Sequence, residues 1–238
     1  MTLDARIADA LTHDPSRPLL TWYDDATGER VELSVATTAN WVAKTANLLR
    51  DTLDVQPGDR VVVALPRHWQ TAVIHLATWL AGACVVALEP GHPLPSAPVA
   101  FVPASSLPTL VKARATEVVA LSLRPLGGRL LDPPSGILDF AVEVPGHGDH
   151  FAPGPFATGP VAVAGDVPVD EAALLAAVER CGLTTGQRAL VRYPAWTLDG
   201  LAATALAPLF AGAGVVLCAG DAVPPARLAT ERVTAVLG

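Results

Sequence analysis

The chain has 238 residues, 51% hydrophobic and 16% charged, a make-up that supports a sizeable core and excludes a largely disordered protein. Its formal net charge is −7 and its only lysines are Lys44 and Lys112, so no basic face exists to neutralise nucleic-acid phosphates. Three widely spaced cysteines, Cys84, Cys181 and Cys218, sit among apolar neighbours and read as small buried hydrophobes in a reducing cytoplasm.

The N-terminus, MTLDARIADA, has no basic segment followed by an apolar one and is not expected to be a secretory signal. Residues 18–23 and 29–33, joined by Asp-Asp-Ala-Thr-Gly, predict a β-hairpin. Ser34 then N-caps an amphipathic helix to Arg50, with Val35, Trp41, Val42, Leu48 and Leu49 facing inward. The turn VQPGDR leads into a continuous apolar strand at 61–66, of the kind buried on both faces in a parallel sheet. A helix at about 69–81 and a second buried strand at 84–88 follow.

The same order recurs from Glu171: a helix at 171–180, the turn LTTGQR, a strand at 189–194, a helix at about 199–211 and a strand at 214–218. Gly58 precedes Pro66 by eight positions, as Gly186 precedes Pro194, and LAGACVV (80–86) parallels FAGAGVV (210–216). This predicts two copies of one helix–strand–helix–strand unit about 130 residues apart, at about 34–90 and 169–238, with a Pro/Gly-rich connection at 91–168. Within that connection short strands are expected at 99–102 and 117–121, and the stretch 131–160 reads as irregular. A last strand is expected at 232–237. The uncharged runs 70–88 and 200–220 approach the length of a membrane span, but each breaks at a glycine before Val-Val and reads as a buried helix followed by a buried strand.

LTTGQR has the hydroxyl, glycine and basic residue of a phosphate loop. It follows a helix and leads into a strand, however, whereas an anion loop delivers its ligand to a helix N-terminus. Its counterpart in the first copy, VQPGDR, marks it as a turn. Neither buried strand is followed by G-x-G-x-x-G, and no G-x-S-x-G elbow occurs. His147 and His150, with His92 as a distant third ligand, lie in a Gly/Pro loop that nothing rigid positions, and the favoured reading is a solvated loop and no metal site.

RPLLTWYDD, the run TANLLRDTLDVQPGDRVVVALPRHWQTAVIHLATWLAGACVVALEP, and later PLFAGAGVVL and ERVTAVLG together resemble the N-terminal half of the adenylate-forming superfamily: acyl-CoA synthetases, peptide-synthetase adenylation domains and luciferases. The resemblance implies an α/β fold with two similar layered subdomains, mostly parallel buried strands and an N-terminal hairpin. It also implies ATP or CoA as cofactors, which nothing else in the chain calls for. The family's phosphate loop, T-S-G-T-T-G-x-P-K, would fall just before the helix at Glu171. That slot reads PFATGPVAVAGDVPVDEAALLAAV, where Thr158-Gly159 stands without a Ser/Thr-Gly cluster or a lysine. The family's Y-G-x-T-E, T-G-D and C-terminal lid have no counterpart, so the chain is similar to a short, degenerate synthetase-like protein of the actinobacterial kind.

By the same resemblance, Trp196, Asp199 and Gly200 fall where the family places its acyl or amino-acid pocket, with Trp196 as a wall and Asp199 facing a cationic group. The plainer alternative is that Asp199 N-caps the following helix. The expectation is a non-catalytic domain without catalytic residues, binding a small ligand or a protein partner. It includes neither nucleic acid nor membrane among the partners, and it allows an oligomer through the face where the family's missing half would pack. The alternative is a diverged acyl-activating or CoA-using enzyme working with a separate partner chain.

Overall fold

A computed structural model describes residues 2–109, 115–154 and 159–238. The expected hairpin forms from β1 (Pro18–Asp24) and β2 (Glu29–Ser34), paired antiparallel. Ser34 ends β2 and caps α2 (Val35–Asn47), its hydroxyl accepting from the Thr37 amide at 3.1 Å. A π-helical turn at Leu48–Thr52 prolongs α2 and buries Leu48 and Leu49. β3 (Arg60–Val63), α3 (Trp69–Leu80) and β4 (Cys84–Ala87) complete the first unit.

α3 is buried along all twelve residues. A helix buried on every side must be covered on every side, and α2, the π-helical turn at Ala202–Leu206 and strands of both sheets do this. One has the order β12-β10-β11-β1-β2 and the other β7-β6-β5-β3-β4-β8-β9. Leu20 and Trp22 of β1 and Val61 and Val63 of β3 join Ile74 and Leu76 of α3 in one continuous core. The further strands are β5 (Ala97–Pro103), β6 (Ala115–Leu121), β7 (Ile137–Asp139), β8 (Ala162–Ala164), β9 (Val167–Val169), β10 (Arg188–Val191), β11 (Gly214–Cys218) and β12 (Ala235–Leu237). Among the described residues all pairings are parallel except β1–β2 and β8–β9.

Four features depart from expectation. Residues 3–13 form a helix, α1 (Leu3–His13), which packs onto the core through Leu3, Ile7 and Ala10 without fully burying any residue. The stretch 131–160 is not wholly irregular: β7 extends the larger sheet beside β6, and Asp139 caps the short α4 (Phe140–Glu143) by accepting from the Ala141 amide at 2.9 Å. The helix predicted at 199–211 is divided into α6 (Leu198–Leu201), a π-helical turn at Ala202–Leu206, and α7 (Ala207–Ala211). Pro208 has no amide hydrogen to give the helix ladder, which accounts for the widened turn just before it. A short α8 (Pro225–Thr230) separates β11 from β12.

The two units share their hydrogen bonds. Asp59 N donates to Gln56 O at 3.0 Å, and Gln187 N to Thr184 O at 3.1 Å. The side chains of Asp59 and Gln187 both accept from the amide three residues back, at 2.9 Å in each case. Gly58 N bonds Gly82 O at 2.9 Å, and Gly186 N bonds Gly212 O at 3.0 Å. All four glycines have positive φ, between 66° and 90°, the left-handed backbone such turns require. β3 lies between β4 and β5, and β10 lies between β11 and β12.

Candidate functional site

In open α/β sheets ligands bind beyond the carboxyl ends of the strands. Here those ends meet at Arg67, two residues after Leu65 on the way out of β3. Its Nε donates to Cys218 O at the end of β11 at 3.0 Å, a terminal nitrogen donates to Arg192 O beyond β10, and the other pairs with Asp221 at 2.7 Å. The guanidinium therefore stitches the two sheets together and has its donors engaged by the protein itself.

Beside it, His68 caps α3. Its Nδ1 accepts from the Gln70 amide at 3.1 Å, which puts the proton of the neutral ring on Nε2. Burial lowers its pKa to about 3, so it is neutral near pH 7. The ring packs edge-on to Trp22 at 4.6 Å, and Trp22 Nε1 donates to the buried Glu29 at 3.2 Å. Glu29 also accepts from the Leu126 amide at 2.6 Å, in a loop where Leu123 and Leu126 both have left-handed φ. His68 is thus a structural cap in an aromatic wall. The sequence signal was faint, because histidine is not among the usual capping residues.

The three residues expected at a pocket, Trp196, Asp199 and Gly200, lie around one turn. Trp196 is half-buried after β10. Thr197 is the N-cap, its hydroxyl accepting from the Gly200 amide at 3.1 Å, and this corrects the expectation that Asp199 fills that role. An N-cap oxygen must reach an amide two or three residues on, which Thr197 does from just outside the helix. Asp199 is half-exposed and pairs with Arg180 of α5 (Glu171–Arg180) at 2.8 Å, so a cationic ligand there would compete with Arg180. Gly200 is buried, and a Cβ on it would lie 1.8 Å from Pro194 O.

In the described part of the phosphate-loop slot, from residue 159 on, a strand hairpin stands before α5. β8 runs parallel to β4 and turns back as β9 through Gly165 and Asp166 alone, with Gly165 at φ 61°. Asp170 then caps α5 by accepting from the Ala173 amide at 2.8 Å. Thr158 lies outside the described residues, and so does Lys112.

A second polar cluster is paired within itself. Glu231, buried between the strands and α8, accepts from Tyr23, Arg30 at 3.0 Å and Arg188 at 2.6 Å, and Glu32 accepts from the same two arginines. Burial would raise the pKa of Glu32, but Arg188 and Arg30 hold it below the usual carboxylate range. Two arginines and two carboxylates leave no net charge for a ligand. His147 is within 3.3 Å of Thr52 and His92 pairs with Glu89, and among the described residues no three metal-ligating side chains gather. The three cysteines are free, and burial raises the pKa of each thiol. No helix of the described residues is long and apolar enough to cross a membrane.

Helices held between two mostly parallel sheets give the fold of the N-terminal region of acyl-CoA synthetases. The crystal structure of Brucella canis acyl-CoA synthetase matches 99% of this chain with a TM-score of 0.81 at 20% identity. Acetoacetyl-CoA synthetase from Streptomyces lividans matches 92% with a TM-score of 0.71 at 21% identity. The chain spans 47% and 38% of those two enzymes, about half or less of each. The AMP-binding enzyme family profile matches residues 7–122. A TIGR03089 family protein of Mycobacterium tuberculosis (strain ATCC 25618 / H37Rv) is 40% identical over 248 residues, covering 99% of this chain and 98% of the relative. The chain belongs to the TIGR03089 family.

Proposed function

We propose that this protein is a non-catalytic, synthetase-like domain that binds a small ligand or a protein partner. One observation carries the reading. Where the resemblance places a glycine- and hydroxyl-rich phosphate loop, the chain has the two-residue turn Gly165–Asp166. A cradle for two or three phosphates needs several converging backbone amides and a cation. A two-residue hairpin offers neither, so the acid substrate of an adenylation reaction would find no activated phosphate. In the small-ligand version of this reading the ligand lies against Trp196 and displaces Arg180 from Asp199.

The test is pyrophosphate–ATP exchange with a panel of carboxylic and amino acids. No exchange above background is expected, and exchange with any acid overturns the proposal. The second reading, an acyl-activating or CoA-using enzyme completed by another chain, draws on β12, which among the described residues pairs with β10 alone and leaves Val236 half-exposed. A thermal-shift panel with ATP, CoA and acyl-adenylate mimics separates the two, since that reading requires stabilisation by at least one of them.

A further inference from the structure

The opposite end of the sheets holds a different feature. Gly58, Gly82 and Val161, which precede β3, β4 and β8, border a cavity of about 280 Å³ at the amino ends of these strands. Its walls are Leu3 of α1, Trp79 of α3, Leu174 of α5 and Leu206 of the π-helical turn. Leu175 and Phe210 line it too, and they also line an adjoining cavity of about 350 Å³. An apolar cavity of about 150 Å³ is enough to take up benzene. The inner cavity therefore has room for a short alkyl chain or a small ring system, and its lining selects an apolar one.

The outer cavity adds a charge. Arg6 of α1 lies over the Phe210 ring, with its guanidinium carbon 4.9 Å from the centroid. Arg6 forms no ion pair among the described residues, and its Nε is buried without a hydrogen-bond partner. A buried donor left unpaired is costly, and an anion is the partner a guanidinium prefers. Two acids line the cavities, Glu179 the outer and Glu171 the inner, both exposed to solvent and neither ion-paired to Arg6; on α1 itself Asp9 pairs with His13, and Asp4 Oδ1 is buried without a hydrogen-bond partner.

We propose that the adjoining cavities form a binding site for a small amphipathic anion, whose apolar body fills the inner cavity while its anionic head pairs with Arg6. The site lies away from the carboxyl ends of the strands and is independent of whether the chain binds ATP. Glu179 opposes the anion and sets a ceiling on its affinity. α1 supplies both Leu3 and Arg6, so one helix contributes to the wall and to the head-group contact.

Calorimetry on the full chain with octyl sulfate, 1-octanol and octylamine tests this. Octyl sulfate is expected to bind about tenfold more tightly than 1-octanol, and octylamine more weakly than either. Arg6→Gln is expected to bring octyl sulfate down to the level of 1-octanol and leave 1-octanol unchanged, and Glu179→Gln to strengthen octyl sulfate severalfold. Leu175→Trp, which fills the shared wall, is expected to abolish binding of all three. Trp79→Phe provides a check independent of that larger change: quenching of tryptophan fluorescence by 8-bromooctanoate should be largely lost while its calorimetric affinity persists. Equal affinities for the three head groups, or no effect of Arg6→Gln, would overturn the role of Arg6. Failure of all three to bind, or quenching that survives Trp79→Phe undiminished, would overturn the site.

Discussion

The two units share a frame and differ in the helix it holds. Gly82 follows Gly58 by twenty-four positions and Gly212 follows Gly186 by twenty-six, yet both pairs close with the same backbone hydrogen bond. Of the two extra positions in the second unit, one lies before the helix, whose N-cap Thr197 stands three positions past Pro194 where His68 stands two past Pro66, and the other falls within the helix, where it widens into its π turn before Pro208. In the first unit the corresponding helix, α3, is unbroken, is capped by the buried His68 and carries the buried polar residues Gln70 and His75. The turn hydrogen bonds thus fix where each strand starts, and the helix between them is free to change. We propose that the units descend from one duplicated segment, since the matching turns extend to the side-chain bonds of Asp59 and Gln187.

The sharpest way to break this comparison is to exchange residues between equivalent positions. Three positions after its helix N-cap, the first unit has the buried Thr71, whose hydroxyl donates to Pro66 O at 2.7 Å, and the second has Gly200. A Cβ at Gly200 would press on Pro194 O, a backbone atom that cannot step aside. Gly200→Ala is therefore expected to lower the unfolding free energy by about 3 kcal/mol or more, measured by urea denaturation. A loss under about 1 kcal/mol would mean that the second unit packs as the first does.

The buried histidines of α3 give the next effect. Burial lowers the pKa of His68 and His75 from 6.5 to about 3. Between those values the unfolded chain binds protons that the folded chain refuses, so stability falls as pH falls from 6.5 towards 3. Each histidine contributes a slope of about 1.4 kcal/mol per pH unit in that window and none above it. His75→Leu should flatten the pH dependence by that amount between pH 4 and 6 and leave stability unaffected by pH at neutrality. An unchanged slope would show that His75 takes up its proton in the folded state.

Smaller effects sharpen the match between the turns. Gly58→Ala and Gly186→Ala, at φ 90° and 79°, should each cost about 1 kcal/mol and agree with each other within about half of that. Thr197→Ala should cost about 1 kcal/mol as a lost N-cap. Asp199→Asn removes only a half-exposed pair with Arg180 and should cost less than about 0.5 kcal/mol. The reverse order for these last two would restore Asp199 as the cap.

Much of this frame was legible in the sequence. The hairpin, the Ser34 cap, the buried strands and both glycine turns follow from local chemistry, and LTTGQR was identified as a turn by its counterpart VQPGDR. The missed parts owe their structure to distant partners. β7, β8 and β9 have three residues each and become strands only by pairing with β6, β4 and each other. Thr197 and Asp199 both carry capping oxygens, and only the backbone at Pro194 decides between them. The Arg67 stitch joins residues more than a hundred positions apart, and no local pattern announces it. The cavity near Arg6 was hidden because α1, read only as a terminus, supplies one of its walls.

The proposed function depends on the claim that the Gly165–Asp166 turn leaves the chain without a phosphate cradle. Calorimetric titration of the full chain with magnesium–ATP tests it directly. The account predicts no saturable heat up to millimolar nucleotide. Saturable binding at micromolar concentration that is lost on substituting residues of the β8–β9 hairpin would contradict it.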